Sequence, residues 1–238
     1  MLRLICFVLL LIKTAAAEPP PAPPLRPSAA FAFAGPAAAR GALVWLPGTT
    51  GPTDTGPPGE PAWVDRMARR GLDIWRFDRI RGQDPLAGSG EALTRGLQAL
   101  RKAGYRRILA AGHSRGAWIA LTVLAHPGTA DGIVALSPAA HGTKLEHRTQ
   151  AMADWIALWS SAASKGTRVV MVQLADDPYD PEPERRRDIA ATASQRAGID
   201  LLPLFLPPLP RGHIGAYEPE LDDAFGETMA SFADPGYE

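Results

Sequence analysis

From Gly41 to the end of the chain, short apolar runs that suit β-strands alternate with longer segments whose apolar residues recur at helical spacing. Such alternation is typical of a parallel sheet covered by helices on both faces, because each helix returns the chain to the edge where the next strand begins. We therefore predict an α/β domain with a mostly parallel central sheet. Its strands are predicted at residues 42–46, 72–77, 107–111, 132–136, 167–174 and 201–206, and its helices at 61–70, 90–103, 116–125, 152–163, 183–196 and 221–232.

The first residues carry the pattern of a secretory signal peptide. A short positive segment ending at Arg3 precedes an unbroken apolar run at residues 4–12, and residues 15–17 are the small alanines that a signal peptidase recognises. The apolar run is shorter than the roughly 20 residues that a bilayer-spanning helix needs, so no stable membrane insertion is expected after cleavage. The chain is therefore predicted to be exported to the periplasm or the medium, with cleavage after Ala17.

A proline-rich stretch, EPPPAPPLRP at residues 18–27, follows the predicted signal peptide. Proline-rich segments are extended and do not bury a core, so this stretch is predicted to be an unfolded leader. The α/β domain is then expected to comprise residues 28–238, with at most an irregular edge strand near residues 30–34.

The composition excludes several classes of function. Hydrophobic residues make up 46% and charged residues 21% of the 238 residues, which is typical of a globular protein. The formal net charge is zero, so the chain lacks the basic excess that holds a nucleic-acid backbone. The one cysteine, Cys6, lies in the predicted signal peptide, which excludes a thiol nucleophile and a disulfide framework from the mature chain. His, Asp and Glu show no metal-site spacing, so neither a metal nor a cofactor is expected.

The segment Gly112-His113-Ser114-Arg115-Gly116 lies between a predicted strand and a predicted helix. This is the G-x-S-x-G elbow in its strand–turn–helix context. The serine must occupy a sharp, strained turn so that its Oγ projects from the edge of the sheet. Strand and helix then pass so closely that the residues two before and two after the serine must be small. Gly112 and Gly116 meet that requirement.

Two later loops provide partners for such a serine. A serine hydroxyl is a poor nucleophile at neutral pH and needs a base within hydrogen-bond reach. Asp176, Asp177 and Asp180 follow the fifth predicted strand, and His213 follows the sixth. Both loops lie at the C-terminal ends of strands, where open α/β sheets place their sites. The order Ser, Asp, His is the one expected with this elbow.

Together these motifs resemble the α/β-hydrolase superfamily, and the resemblance extends over residues 41–238. The similarity is to small, uncapped members of the esterase-like and dienelactone-hydrolase-like kind. It implies that Ser114 is the nucleophile, that His213 is its general base and that Asp177 is the acid that orients the base. Asp180 is the alternative for the acid.

The resemblance also implies an oxyanion hole made of backbone N–H groups. One donor is expected from Arg115, directly after the nucleophile, and the other from the loop that follows the first long strand. Many similar proteins have His-Gly in that loop, whereas this chain has Pro47-Gly48-Thr49. Thr49 is the residue expected to provide the second N–H.

Hydrolysis of a carboxylic ester through an acyl-enzyme is the activity that the resemblance implies, with a small ester-like molecule as substrate. A thioesterase or amidase with the same triad, and a non-catalytic binding protein on the same fold, are the alternatives. The segment between residues 137 and 165 is too short for a large cap domain. His113 is interpreted as a packing residue, whereas His141, Trp155 and Trp159 are candidates for the wall of a substrate pocket.

Overall fold

The computed structural model describes residues 25–48, 53–54, 59–80 and 85–236. The predicted signal peptide at residues 1–17, the predicted leader up to residue 24 and Thr49 lie outside the described residues. Of the helices in the described part, none has both the length and the apolar composition that a bilayer-spanning helix needs.

A seven-stranded sheet forms the centre of the described part of the chain. The strands, including two in a small separate ribbon, are β1 (Leu25–Pro27), β2 (Gly41–Leu46), β3 (Thr53–Asp54), β4 (Leu72–Phe77), β5 (Arg79–Ile80), β6 (Ile108–His113), β7 (Gly132–Leu136), β8 (Arg168–Gln173) and β9 (Asp200–Phe205). The order in the sheet is β1-β4-β2-β6-β7-β8-β9, and all neighbours are parallel except β1 and β4. Strands β3 and β5 form the antiparallel ribbon.

Helices cover both faces of this sheet, as predicted. They are α1 (Ala62–Arg69), α2 (Leu86–Lys102), α3 (Arg115–Thr122), α4 (Leu145–Ser160), α5 (Pro183–Ala197), α6 (Pro219–Leu221) and α7 (Glu227–Ala233), with a π-helical segment at Asp222–Gly226 between the last two. Along β2, Ala42, Val44 and Leu46 pack in the core cluster formed with α2 to α5. Leu43 and Trp45 point to the opposite face and pack with α1, α6 and α7.

The largest error among the predicted helices concerns α4. The predicted strands at 72–77 and 132–136 coincide with β4 and β7, whereas α4 begins at Leu145 rather than at residue 152. Residues 145–151 are mostly exposed, so this first part of the helix has no apolar face that the sequence could reveal.

The edge of the sheet also differs from the prediction. Residues 30–34 form no strand, and the last three residues of the predicted leader form β1 instead. Strand β1 ends on Pro27, and β9, at the opposite edge, contains Pro203. Proline lacks the N–H that a central strand must donate, so edge strands are the part of a sheet that accommodates it.

Candidate active site

Ser114 occupies a strained turn directly between β6 and α3. Its backbone dihedral angles are φ 55° and ψ −122°, in a region that residues with a side chain rarely adopt. The Ser114 N–H donates a hydrogen bond to the Leu136 carbonyl (2.9 Å), and the Ser114 carbonyl accepts one from the Ala139 N–H (3.1 Å). Strain of this kind costs about 1–3 kcal/mol and persists only where neighbouring structure holds the residue in place.

The two glycines of the elbow are required by close contacts between backbones. A Cβ added to Gly112 would lie 2.5 Å from the Gly116 carbonyl carbon and 2.7 Å from the Ala117 nitrogen. A Cβ added to Gly116 would lie 2.6 Å from the Pro47 carbonyl oxygen and would also overlap the Leu46 carbonyl. The start of α3 therefore packs directly against β6, as the G-x-S-x-G spacing predicts, and also against the end of β2.

His213 lies beside the serine. The Ser114 Oγ and the His213 Nε2 are 2.8 Å apart, so the hydroxyl is placed to donate its proton to the imidazole. His213 begins a short 3₁₀ segment, His213–Tyr217, that follows the loop after β9. Its side chain is 13% exposed, so the ring is largely but not completely buried.

Asp177 accepts a hydrogen bond from the other nitrogen of His213. The Nδ1 atom lies 3.0 Å from Oδ1 and 2.9 Å from Oδ2 of Asp177. The Tyr179 N–H also donates to Asp177 Oδ1, at 2.8 Å, which fixes the carboxylate within its own turn. The side chain of Asp177 is 2% exposed, so water does not compete for these contacts.

The two neighbouring aspartates have other partners. Asp180 is buried and lies 2.8 Å from Arg186 Nη1, while its Oδ2 accepts a hydrogen bond from Gln173 Nε2 at 2.7 Å. Asp176 is exposed and pairs with Arg211 on the surface. The structure therefore brings Ser114, His213 and Asp177 into one chain of hydrogen bonds and places Asp180, the alternative acid, elsewhere.

Backbone N–H groups suited to an oxyanion lie near Ser114. Arg115 is the first residue of α3, and the N–H groups in the first turn of a helix have no acceptor within that helix. Gly48 also approaches the serine, because a Cβ added to it would lie 3.1 Å from the Ser114 Cβ. Thr49, the expected second donor, lies outside the described residues, immediately after Gly48.

A small cavity of about 20 Å³ lies beside Tyr179, and Ser114, His213 and Asp177 are not among the described residues on its wall. Tyr179, on its wall, places its ring 4.3 Å from the His213 ring. Trp118 and His141 also line the cavity, and His141 Nε2 is held by Asp154 at 2.9 Å. Tyr179 belongs to no recognisable sequence motif, so the sequence does not predict its position beside His213.

The expectation that Trp155 and Trp159 line a substrate groove is wrong for this cavity. Both indoles are fully buried, and neither belongs to the described residues on the cavity wall. Trp155 packs behind Trp118, with ring centroids 5.2 Å apart, and its Nε1 donates to the Arg186 carbonyl. The pair thus supports the wall from within the core.

Within the described residues, no group of three or more His, Cys, Asp or Glu side chains could hold a metal ion.

No protein-family model and no curated protein matches the chain by sequence. Similarity appears in comparison with solved structures. A phospholipase/carboxylesterase from Dyadobacter fermentans is 15% identical and superimposes with a TM-score of 0.56, covering 85% of this chain and 95% of its own. An esterase from Pyrococcus furiosus is 14% identical, with a TM-score of 0.59 and coverage of 82% and 83%.

An acetyl ester-xyloside bifunctional hydrolase from Caldicellulosiruptor lactoaceticus is 17% identical to this chain. Its TM-score is 0.58, and the match covers 87% of this chain and 84% of the hydrolase. At such low sequence identity, structural similarity is evidence for a shared fold but not for a shared substrate. Together with the strand order, the helices on both faces and the elbow at Ser114, they show that this chain has the α/β-hydrolase fold.

Proposed function

We propose that this protein is a serine hydrolase that cleaves a carboxylic ester through an acyl-enzyme. The observation that carries the proposal is the continuous chain of hydrogen bonds from Ser114 through His213 to Asp177. Each link has the atoms and the distance that proton transfer from a nucleophilic serine requires.

The reaction uses each of these groups in turn. Ser114 Oγ attacks the ester carbonyl while His213 Nε2 takes the hydroxyl proton, and the negative charge of Asp177 stabilises the imidazolium that forms. The N–H groups of Arg115 and Thr49 are the proposed donors to the oxyanion. The tetrahedral intermediate collapses, His213 returns the proton to the leaving alcohol, and an acyl ester on Ser114 remains.

Water completes the cycle by the same path in reverse. His213 takes a proton from the water as its oxygen attacks the acyl carbon, and a second tetrahedral intermediate expels Ser114 Oγ, which regains the proton. The products are a carboxylic acid and the free enzyme, so no further reactant is needed. The names of the structural neighbours support an ester as substrate, because three of them are esterases or ester hydrolases.

The cavity beside His213 is the proposed binding site for part of the ester. Its wall carries Trp118 and Tyr179, which offer flat apolar surface, together with the small side chains of Ala139 and Ala140. A cavity of about 20 Å³ with a wall of this chemistry suits a short acyl group better than an aromatic group or a long lipid chain. A panel of esters, thioesters and amides of increasing size measures both the bond type and the size limit.

Labelling with a fluorophosphonate probe tests the activated serine directly. The mature protein is expected to be labelled, and labelling is expected to disappear in Ser114→Ala and in His213→Ala. Ser161→Ala provides a matched control, because Ser161 is an exposed serine at the end of α4. A folded wild-type protein that the probe does not label would contradict the catalytic proposal and favour a binding role.

Export is a separate part of the proposal and rests on residues 1–17. The full-length chain is produced in a bacterium, the cells are fractionated and the intact mass is measured. A periplasmic product that begins at Glu18 supports export with cleavage after Ala17. A cytoplasmic product that retains Met1 contradicts it.

A further inference from the structure

His113, the residue before Ser114, makes a contact that the proposed reaction does not use. Its imidazole is buried, with 4% of the residue exposed. The Nε2–H group of His113 donates a hydrogen bond to the backbone carbonyl of His213 at 2.7 Å. A side chain at the end of β6 is thereby tied to the main chain of the residue that serves Ser114 as base.

The surroundings of His113 hold its ring in one orientation. The ring centroid lies 4.8 Å from that of His213 and 5.0 Å from that of Tyr217. In the loop after β2, Gly48 approaches so closely that a Cβ added to Gly48 would lie 2.9 Å from His113 Nδ1. The imidazole therefore fills the space between β6, the His213 segment and the loop after β2.

This position favours a neutral imidazole with its proton on Nε2. Burial and the charge of His213 lower the pKa of His113 to about 4, whereas the hydrogen bond to the His213 carbonyl and the charge of Asp177 act in the opposite direction. At neutral pH the ring therefore carries no charge. This matters because His213 becomes an imidazolium during the reaction, and a second cation 4.8 Å away would oppose that step.

We propose that His113 is a positioning residue, which holds the backbone of His213 so that Nε2 stays in line with Ser114 Oγ. The inference rests on the proposed hydrolase function and adds a determinant of its geometry. The donor matters because the buried His113 ring covers the His213 carbonyl, and its loss would leave that acceptor without the partner it has in this structure. Without the donor, the backbone at His213 would shift towards another hydrogen-bond donor, and the His213 imidazole would shift with it.

Two substitutions separate the hydrogen bond from the packing. The amide of His113→Gln can place a donor near the position of the imidazole Nε2, while His113→Leu fills a similar volume without a donor. A displacement of about 1 Å between reacting groups can lower a rate about 100-fold. We therefore expect His113→Leu to lower kcat and the rate constant of fluorophosphonate labelling by about 10- to 100-fold, with KM changed by less than about threefold.

His113→Gln is expected to recover most of that loss. His126→Leu is the matched control. His126 is exposed and lies beyond the C-terminal end of α3, whereas the elbow turn lies at the N-terminal end of that helix. Melting temperatures of all variants establish that the folded protein is being compared. A His113→Leu enzyme with the kcat of the wild type would overturn the proposal, as would equal losses in the Leu and Gln variants that follow their melting temperatures.

A spectroscopic measurement separates failure of this inference from failure of the hydrolase proposal. The Nδ1–H proton that His213 shares with Asp177 gives a low-field proton resonance when the imidazole is held in place. The wild type and His113→Gln are expected to show this resonance, and His113→Leu is expected to lose or broaden it. If the wild type shows the resonance but neither reacts with the probe nor cleaves esters, the hydrolase proposal is contradicted. The positioning role is then tested by the resonance alone: its loss in His113→Leu supports that role, and an unchanged resonance contradicts it.

Discussion

Asp177 and Asp180 lie in the same loop after β8 and are both 8% exposed, yet they belong to different regions of the molecule. Asp177 faces Ser114 and His213, and it accepts hydrogen bonds from His213 and from its own turn. Asp180 faces the core and pairs with Arg186, whose guanidinium also lies over the Trp155 ring, 4.1 Å from its centroid.

This difference teaches that burial of a carboxylate does not identify its role. Each carboxylate is stable inside the protein because charged or polar donors surround it. At Asp177 the partner is a histidine that can change its charge, whereas Asp180 accepts a hydrogen bond from Gln173 and forms an ion pair with Arg186. An arginine stays protonated throughout the accessible pH range, so the Asp180 pair can hold structure but cannot transfer a proton.

The largest expected effect comes from Asp177→Asn. An amide at this place can no longer stabilise the imidazolium and can hold His213 in the wrong tautomer, so kcat should fall by about 10³- to 10⁴-fold. The free energy of unfolding should change much less than the activation free energy. Steady-state kinetics and a denaturant titration measure the two quantities, and a kcat within tenfold of the wild type would assign the acid role to another residue.

Asp180→Asn is the substitution that matches Asp177→Asn, at the aspartate that faces the core. It removes the charge opposite the buried Arg186, so the free energy of unfolding should fall by about 3 kcal/mol or more. The kcat of the molecules that remain folded should stay within about threefold of the wild type, because Asp180 has no contact with His213. A stable Asp180→Asn protein with a kcat as low as that of Asp177→Asn would reverse the assignment of the two aspartates.

Acid should lower the free energy of unfolding through His113, the buried histidine beside Ser114. The pKa of His113 is lowered to about 4 from its ordinary value of 6.5, so the fold favours the neutral ring. The stabilisation that results is present above pH 6.5 and is lost as the pH falls towards 4. The free energy of unfolding should therefore decrease by about 2 kcal/mol between pH 7 and pH 5. Denaturant titrations at both pH values measure it, and His113→Gln should show a smaller decrease than the wild type.

The smallest effect is expected at Asp176, the third aspartate of this segment. Its ion pair with Arg211 is exposed, with 67% and 54% of the two side chains accessible. Exposed pairs contribute between 0 and about 1 kcal/mol, so Asp176→Asn, which keeps a residue that tolerates the φ of 61° at this position, should change the free energy of unfolding by about 0.5 kcal/mol or less. A larger loss, or a fall in kcat beyond about twofold, would show that this surface pair supports the turn that carries Asp177.

The sequence could predict the sheet, the elbow and the order of the three triad candidates, because each depends on local patterns. Apolar runs bounded by glycine revealed β4 and β7, and the spacing of Gly112 and Gly116 revealed the turn at Ser114. It could not choose between Asp177 and Asp180 from the residues, since the choice depends on which one meets His213 and which one meets Arg186. The role proposed for His113 was missed for the same reason, because its acceptor is a backbone carbonyl 100 positions away.

The prolines of the two edge strands have a consequence for assembly. A second molecule extends a sheet by pairing with the row of free N–H and C=O groups on its outer strand. Pro27 and Pro203 interrupt that row at opposite ends of the sheet, and β1 is only three residues long. Both edges of the seven-stranded sheet are therefore poor surfaces for a second copy of this protein to extend.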